Sequence, residues 1–152
     1  MYDILLSTHS WLRWVLLLVF ILVIVKSYTG WKSNRIYTPD DKKWNTILIA
    51  LVHSQLVIGL ILYFTSPMMK AILSDMGGSM KDSSLRFWSV EHLFGMVLAV
   101  IIAQVGSIKA KNKTTDTGKF KTAFVYYLIA LLLILLMIPF GIWNVERPLF
   151  RI

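Results

Sequence analysis

The chain contains no cysteine, and only eight of its 152 residues are acidic. Without cysteine it cannot form disulfides, attach a c-type haem covalently or bind an iron–sulfur cluster through thiolates. Motifs for hydrolysis and phosphoryl transfer are missing too, since there is no glycine-rich phosphate loop, no carboxylate pair inside an apolar segment and no serine–histidine–aspartate set. These absences leave a non-covalent cofactor open and favour an electron carrier or a subunit over a stand-alone enzyme.

Polar stretches are short, and 57% of the residues are hydrophobic. Four apolar segments, at about 4–25, 47–64, 87–108 and 123–143, approach the roughly 20 residues that cross a bilayer. The first lacks the basic leader and the small-residue cleavage site of a signal peptide, so we expect it to be kept. Short connections then predict an all-α fold, an integral membrane up-down four-helix bundle that forms one domain over residues 1–152.

The net charge of +8 is concentrated in two connecting segments. Ten of the sixteen basic residues lie in segments 26–43 and 109–121, which join the first span to the second and the third to the fourth. The positive-inside rule makes these segments cytoplasmic, so both termini are expected outside the cytoplasm. This distribution indicates contact with anionic lipid and argues against nucleic-acid binding.

Each of the first three spans carries one histidine: His9, His53 and His92. At a rise of about 1.5 Å per residue, His9 and His92 both lie roughly 8 Å below the outer helix ends, and His53 lies nearer the midplane. In a ring of four helices the first and third are diagonal, so two imidazoles can face each other across a macrocycle. We therefore predict one b-type haem with His9 and His92 as axial ligands of the iron. Gly95 would leave room beside the ring, and His53 is the rival ligand.

Two arginines flank this level of the bundle. Arg13 cannot lose its proton, so inside a span it needs a counter-charge. Glu91 and a haem propionate are its candidate partners, unless Arg13 extends outward to the interface. Arg86, at the outer end of the third span, is a candidate for a second propionate.

The second span places Gln55, Gly59 and Tyr63 on one helical face, because they are four residues apart. Gly59 allows close packing between helices, and Gln55 either bonds across helices or contacts a quinone or the edge of a haem. A quinone is therefore the second ligand that the sequence leaves open.

Several methionines lie between the second and third spans. Thioethers are soft ligands that suit Cu(I), although methionine is also a common interfacial hydrophobe. The same choice applies to Met96, one turn below His92, which either packs in the core or is an alternative axial ligand. The loop methionines are Met68, Met69, Met76 and Met80.

Local signals place some helix ends. Thr38 followed by Pro39 predicts the start of a helix, and Pro139 predicts the end or a kink of the last one. Residues 74–80 predict a flexible loop. Tryptophans are expected at both interfaces. They are Trp11, Trp14, Trp88 and Trp143 at the outer one, and Trp31 and Trp44 at the inner one.

Four stretches of the chain read HSWLRW, HSQLVIGLILYF, RFWSVEH and LLLILLMIPF. In these stretches and their order, the sequence from Ser7 to Phe140 resembles small bacterial four-helix membrane proteins labelled cytochrome B. The resemblance implies a b-type haem, with His9, His53 and His92 at matching positions. The arrangement is also similar to di-histidine bundles of the cytochrome b561 type, although three histidines are too few for two bis-histidine haems.

Together these features lead us to expect a bacterial inner-membrane cytochrome that exchanges electrons near the outer face with a quinol or a partner protein. Two alternatives stay open: a non-redox structural or assembly subunit of a membrane complex, and a copper-handling membrane protein. The sequence leaves open whether the chain acts alone, as a homo-oligomer or in a larger complex.

Overall fold

The computed structural model describes residues 1–140 and 145, and all of its regular elements are helices. In chain order they are α1 (Tyr2–Lys32), α2 (Pro39–Thr65), α3 (Pro67–Ser74), α4 (Met76–Ser79), α5 (Ser83–Arg86), a π-helical turn (Phe87–Glu91), α6 (His92–Lys111) and α7 (Asp116–Met137). Helices α5 and α6 and the π-helical turn form one crossing, Ser83–Lys111, so four helices are long and apolar enough to span a membrane. The predicted all-α four-helix membrane fold is confirmed.

The four long helices form a ring in which α1 packs against α2 and α7, and α6 packs against α7 and α2. Helices α1 and α6, the first and third crossings, are therefore diagonal. The α1–α2 and α6–α7 connections lie at the same end, where the Thr117 hydroxyl donates to the Asn34 side chain at 3.2 Å. We call this basic end the inner end, and the opposite end the outer end.

Small residues bring α6 and α7 close together. Ala99 and Ala103 on α6 and Ala123 and Ala130 on α7 are fully or almost fully buried. Small side chains at helix contacts let the backbones approach and gain dispersion energy, which drives packing in lipid. Gly106 shows how close this approach is, because a Cβ there would collide with Tyr126.

The outer surface of the ring carries large apolar side chains. Leu18 and Phe94 are each 68% exposed, and Val57 and Leu132 are also exposed. In water such a surface would favour aggregation, whereas in a bilayer it contacts acyl chains. The protein is therefore a multi-pass membrane protein.

The start of α2 follows the sequence signal. The Thr38 side chain accepts from the backbone N–H of Asp41, and the Asp41 carboxylate accepts from the backbone N–H of Thr38 at 3.0 Å. Pro39 occupies the first turn, where its missing N–H has no intrahelical role. The end of α7 at Met137, two residues before Pro139, also agrees with the prediction.

The outer connection differs from the flexible loop expected at residues 74–80. Ser66 caps α3 by accepting from the N–H of Met69, and the Asp75 carboxylate caps α4 by accepting from Gly78. Helix α3 is amphipathic and buries Met69 and Ile72, so apolar contact fixes it against the bundle. The last predicted span, 123–143, is helical as far as Met137, and positions 141–143, including the expected interfacial Trp143, lie outside the described residues.

Candidate functional site

A cavity of about 160 Å³ lies in the outer half of the bundle. All four long helices line it, and α3 contributes Met68 and Met69. Most of its wall is apolar, and two imidazoles reach it from diagonal helices, His9 from α1 and His92 from α6. An apolar cavity in which a few polar groups converge is the usual form of a ligand site.

The imidazole of His92 is held in one orientation by the end of α7. Its Nδ1 lies 2.9 Å from the carbonyl oxygen of Met137. A carbonyl only accepts hydrogen bonds, so Nδ1 carries the hydrogen and the lone pair of the neutral ring is on Nε2. The Met137 carbonyl can accept because the last carbonyls of a helix have no intrahelical donor. Histidines that ligate metals usually have such a bond on their other nitrogen.

A π-helical turn, Phe87–Glu91, immediately precedes His92. The backbone N–H of His92 bonds to the carbonyl of Phe87, five residues earlier, and the hydroxyl of Tyr63 on α2 donates to the Ser89 carbonyl at 3.1 Å. The His92 ring packs against the Trp88 ring with 5.3 Å between ring centres. Turns of this kind are rare and occur frequently at functional sites.

The imidazole of His9 lies against the backbone of Gly59 on α2. A Cβ at Gly59 would be 3.2 Å from Cε1 of His9, so the ring occupies the space that the glycine leaves. The Gln55 side chain donates to the His9 carbonyl at 2.9 Å, which ties α2 to α1 at this level. His9 is also within electrostatic range of both His92 and Arg13.

Two buried polar atoms, one on α1 and one on the neighbouring α2, lack a hydrogen-bond partner among the described residues. Nδ1 of His9 and Oε1 of Gln55 are both buried, and neither has a hydrogen-bond partner among the residues that the structure describes. A buried polar atom without a hydrogen bond lowers the free energy of unfolding by about 1–3 kcal/mol. Such atoms are rare in folded proteins, because most buried polar groups bond to protein, to ordered water or to a bound ligand or ion. The two atoms therefore favour a ligand or water at this level of the cavity.

The structure does not pair Arg13 with Glu91. Instead, Nε of Arg86 lies 2.7 Å from Oε1 of Glu91, across the π-helical turn that brings positions five apart together. Arg13 donates to the Ser10 hydroxyl at 3.2 Å and lies over the Trp14 ring, and it lines the cavity. Glu91 is therefore not the counter-charge of Arg13, whereas a propionate stays a prediction.

Gly95 faces Met137 of the neighbouring helix α7. A Cβ at Gly95 would collide with the thioether of Met137, so this glycine allows α6 and α7 to pack and does not line the cavity. The spacing of Gly95 from His92 gave no information about which neighbouring helix faces it, and room for a haem ring beside Gly95 stays a prediction.

The three histidines are divided between two environments. His53 is exposed on the lipid-facing side of α2, and its Nδ1 donates to the Ile49 carbonyl at 2.9 Å. It does not line the cavity, whereas Gln55 and Gly59 on the opposite side of α2 do. The structure therefore brings His9 and His92 together and separates His53 from both.

Soft donors also line the cavity, and two of the four loop methionines that the sequence offered as Cu(I) ligands are among them. Met68, Met69 and Met96 line it, whereas Met76 is exposed and Met80 is half-buried outside it. The signal that could have shown this was the Ser–Pro pair at 66–67, which marks a helix start, together with the apolar face of the short helix that follows. Within the described part of the chain, no three His, Asp or Glu side chains gather as a metal site.

A b-type haem fits the donor set of this cavity. A six-coordinate haem iron has two axial ligands, and the cavity offers imidazoles from His9 and His92, one of them with its tautomer fixed. The cavity volume of about 160 Å³ is below the roughly 300–1,000 Å³ of pockets for drug-sized ligands, so a macrocycle requires the cavity to widen. Comparisons of the chain with protein-family models, curated proteins and solved structures found no match.

Proposed function

We propose that this protein is a membrane cytochrome that binds one b-type haem through His9 and His92 and transfers electrons near the outer face. The observation that carries the proposal is the placement of these two imidazoles, from diagonal helices, in one apolar cavity. The hydrogen bond from Nδ1 of His92 to the Met137 carbonyl supports it, because that tautomer presents Nε2 for coordination. From the resemblance to small bacterial membrane proteins labelled cytochrome B, we propose the bacterial inner membrane as its location.

The residues around the cavity have distinct tasks in this proposal. A bound haem supplies the one-electron chemistry, and the protein sets its potential through burial and ligand hydrogen bonds. Gln55 holds the His9 backbone, and the Arg13 guanidinium provides a positive charge for a propionate. Arg86 is less suited to a second propionate, because Glu91 already neutralises it. The electron partner is a quinol or a second protein that reaches the outer end.

The test is the reduced-minus-oxidised absorbance spectrum of the detergent-purified full chain, expressed with ample haem. We expect a sharp b-type α-band that His9→Ala and His92→Ala each abolish. His53→Ala is the matched control, because it removes an exposed imidazole from the same membrane domain and should keep the band.

Circular dichroism must show that all three variants keep their helix content. A normal band in both His9→Ala and His92→Ala would eliminate the ligand assignment. A flat spectrum of the unaltered chain, with haem supply confirmed, would eliminate the cytochrome itself and favour a non-redox subunit.

A second candidate is a Cu(I) site, because Met68, Met69 and Met96 line the same cavity as the two histidines. Thioether and imidazole together suit Cu(I). Titration against a Cu(I) chelator would compare Met68→Leu/Met69→Leu with the control Met76→Leu/Met80→Leu, whose residues lie outside the cavity. Equal affinity in the two double variants would end the copper candidate.

A further inference from the structure

Three aromatic rings form a cluster at the inner end, between α1 and α7. Tyr28 and Trp31 come from the last turns of α1, and Phe124 comes from α7. The Phe124 ring centre lies 5.3 Å from that of Tyr28 and 5.8 Å from that of Trp31. We call these three residues the aromatic corner. It lies near the inner end of the first and fourth crossings, and tryptophan and tyrosine are enriched where such ends meet the lipid headgroups.

Two lysines place their ammonium groups on the aromatic corner. Nζ of Lys32 lies 4.3 Å from the centre of the Trp31 ring, and Nζ of Lys121, on the neighbouring helix, lies 5.6 Å from the same centre. Both side chains are exposed. Neither has a carboxylate within 4.0 Å in the part of the chain that the structure describes.

The acidic residues at the inner end form ion pairs with basic residues other than Lys32 and Lys121. The connecting segments 26–43 and 109–121 contain three acidic residues against ten basic ones. Asp40 pairs with Lys26 at 2.6 Å and Asp116 pairs with Lys119 at 3.2 Å. The third is Asp41, which pairs with Arg35 at 2.8 Å. The inner-end carboxylates of the described residues thus pair with Lys26, Arg35 and Lys119, and not with Lys32 or Lys121.

Two like charges that share one ring repel each other, and an anion between them would relieve the repulsion. At the headgroup level the abundant anion is the phosphate of an anionic lipid, and basic pockets between membrane helices bind such headgroups. We propose that Lys32 and Lys121, held over the aromatic corner, bind the phosphate of one anionic phospholipid from the leaflet at the basic end. This site is separate from the cavity and does not depend on the function proposed above.

The experiment is native mass spectrometry of the detergent-purified full chain with an equimolar mixture of dioleoyl phosphatidylglycerol and dioleoyl phosphatidylcholine. The unaltered chain should retain one phosphatidylglycerol in preference to phosphatidylcholine. An exposed hydrogen bond contributes about a fivefold factor to binding, so the loss of both ammonium–phosphate contacts in Lys32→Gln/Lys121→Gln should lower the preference about 30-fold. The matched control is Lys42→Gln/Lys43→Gln, which removes the same charge from exposed side chains at the same end.

The outcomes distinguish a specific lipid-binding site from general electrostatic attraction between anionic lipid and the basic end. Loss in Lys32→Gln/Lys121→Gln with retention in the control supports the proposal. Equal loss in both double variants would overturn it, as would the absence of any preference in the unaltered chain. Excess inorganic phosphate should leave the bound lipid in place, and its displacement would identify a phosphate-ion site instead. If the double variant unfolds, Lys32→Gln and Lys121→Gln alone should each show about a fivefold loss.

Discussion

Replacing Gly59 by alanine tests the contact between α2 and His9. The added Cβ would be 3.2 Å from Cε1 of His9, which is closer than the 3.4–4 Å of ordinary contacts. The imidazole must therefore move by a few tenths of an ångström. Because α1 is held here by the bond from Gln55 to the His9 carbonyl, the ring has to tilt while its backbone stays in place.

Two opposing effects set the size of the change. Alanine is more favourable than glycine inside a helix by about 1 kcal/mol. Overpacking of a well-filled contact typically costs about 1–3 kcal/mol. The net effect of Gly59→Ala on the free energy of unfolding should therefore fall between no change and a loss of about 2 kcal/mol. The control is Gly77→Ala on the exposed helix α4, where nothing lies within 4 Å of the added Cβ.

Both variants should be measured by thermal unfolding in detergent and by the amplitude and position of the haem α-band per protein. We expect Gly77→Ala to match or exceed the stability of the unaltered chain with an unchanged band. Gly59→Ala should be less stable than Gly77→Ala and should bind less haem or show a shifted band. Equal stability and identical bands in the two variants would refute the contact and the role of His9.

Two further substitutions test hydrogen bonds that stabilise the bundle. Tyr63→Phe removes the hydrogen bond to the Ser89 carbonyl at the π-helical turn, so thermal unfolding should show a loss of about 1 kcal/mol. An unchanged transition would show that this bond contributes nothing. Asp41→Asn replaces a carboxylate that is 2% exposed, and it weakens the hydrogen bonds that this group accepts from Arg35 and Thr38. We expect a loss of about 1–2 kcal/mol, because bonds to charged groups are strong but Arg35 is partly exposed and screened. Full retention of stability would contradict this.

The sequence was sufficient wherever a signal was local or periodic. Four apolar segments predict the crossings, and the Thr38–Pro39 pair marks the start of α2 because capping depends on residues three apart. The shared depth of His9 and His92 follows from their distances to the helix ends, and their diagonal placement follows from short connections. These two facts are enough to place both imidazoles in one part of the bundle.

The sequence was insufficient wherever the outcome depends on which faces of two helices meet. Nothing local shows that Met137 fills the space beside Gly95, or that its carbonyl accepts from His92. The π-helical turn also shifts the helical phase between Arg86 and His92, which pairs Glu91 with Arg86 instead of Arg13. One extra residue in a helical turn rotates the following side chains by about 100° around the helix axis. A prediction that assumes uniform α-helical spacing therefore assigns the residues before the turn to the wrong face relative to those after it.

Helix α2 emerges as the element that positions both histidines of the cavity, although neither belongs to it. Gly59 and Gln55 fix the ring and the backbone of His9, and Tyr63 holds the turn that leads into His92. These three residues are four apart, so one face of α2 reaches both diagonal helices. A displacement of α2 would therefore move the two imidazoles relative to each other. Since bis-histidine coordination depends on that separation, the proposed haem site should be more sensitive to substitutions on this face of α2 than to those on its lipid-facing side.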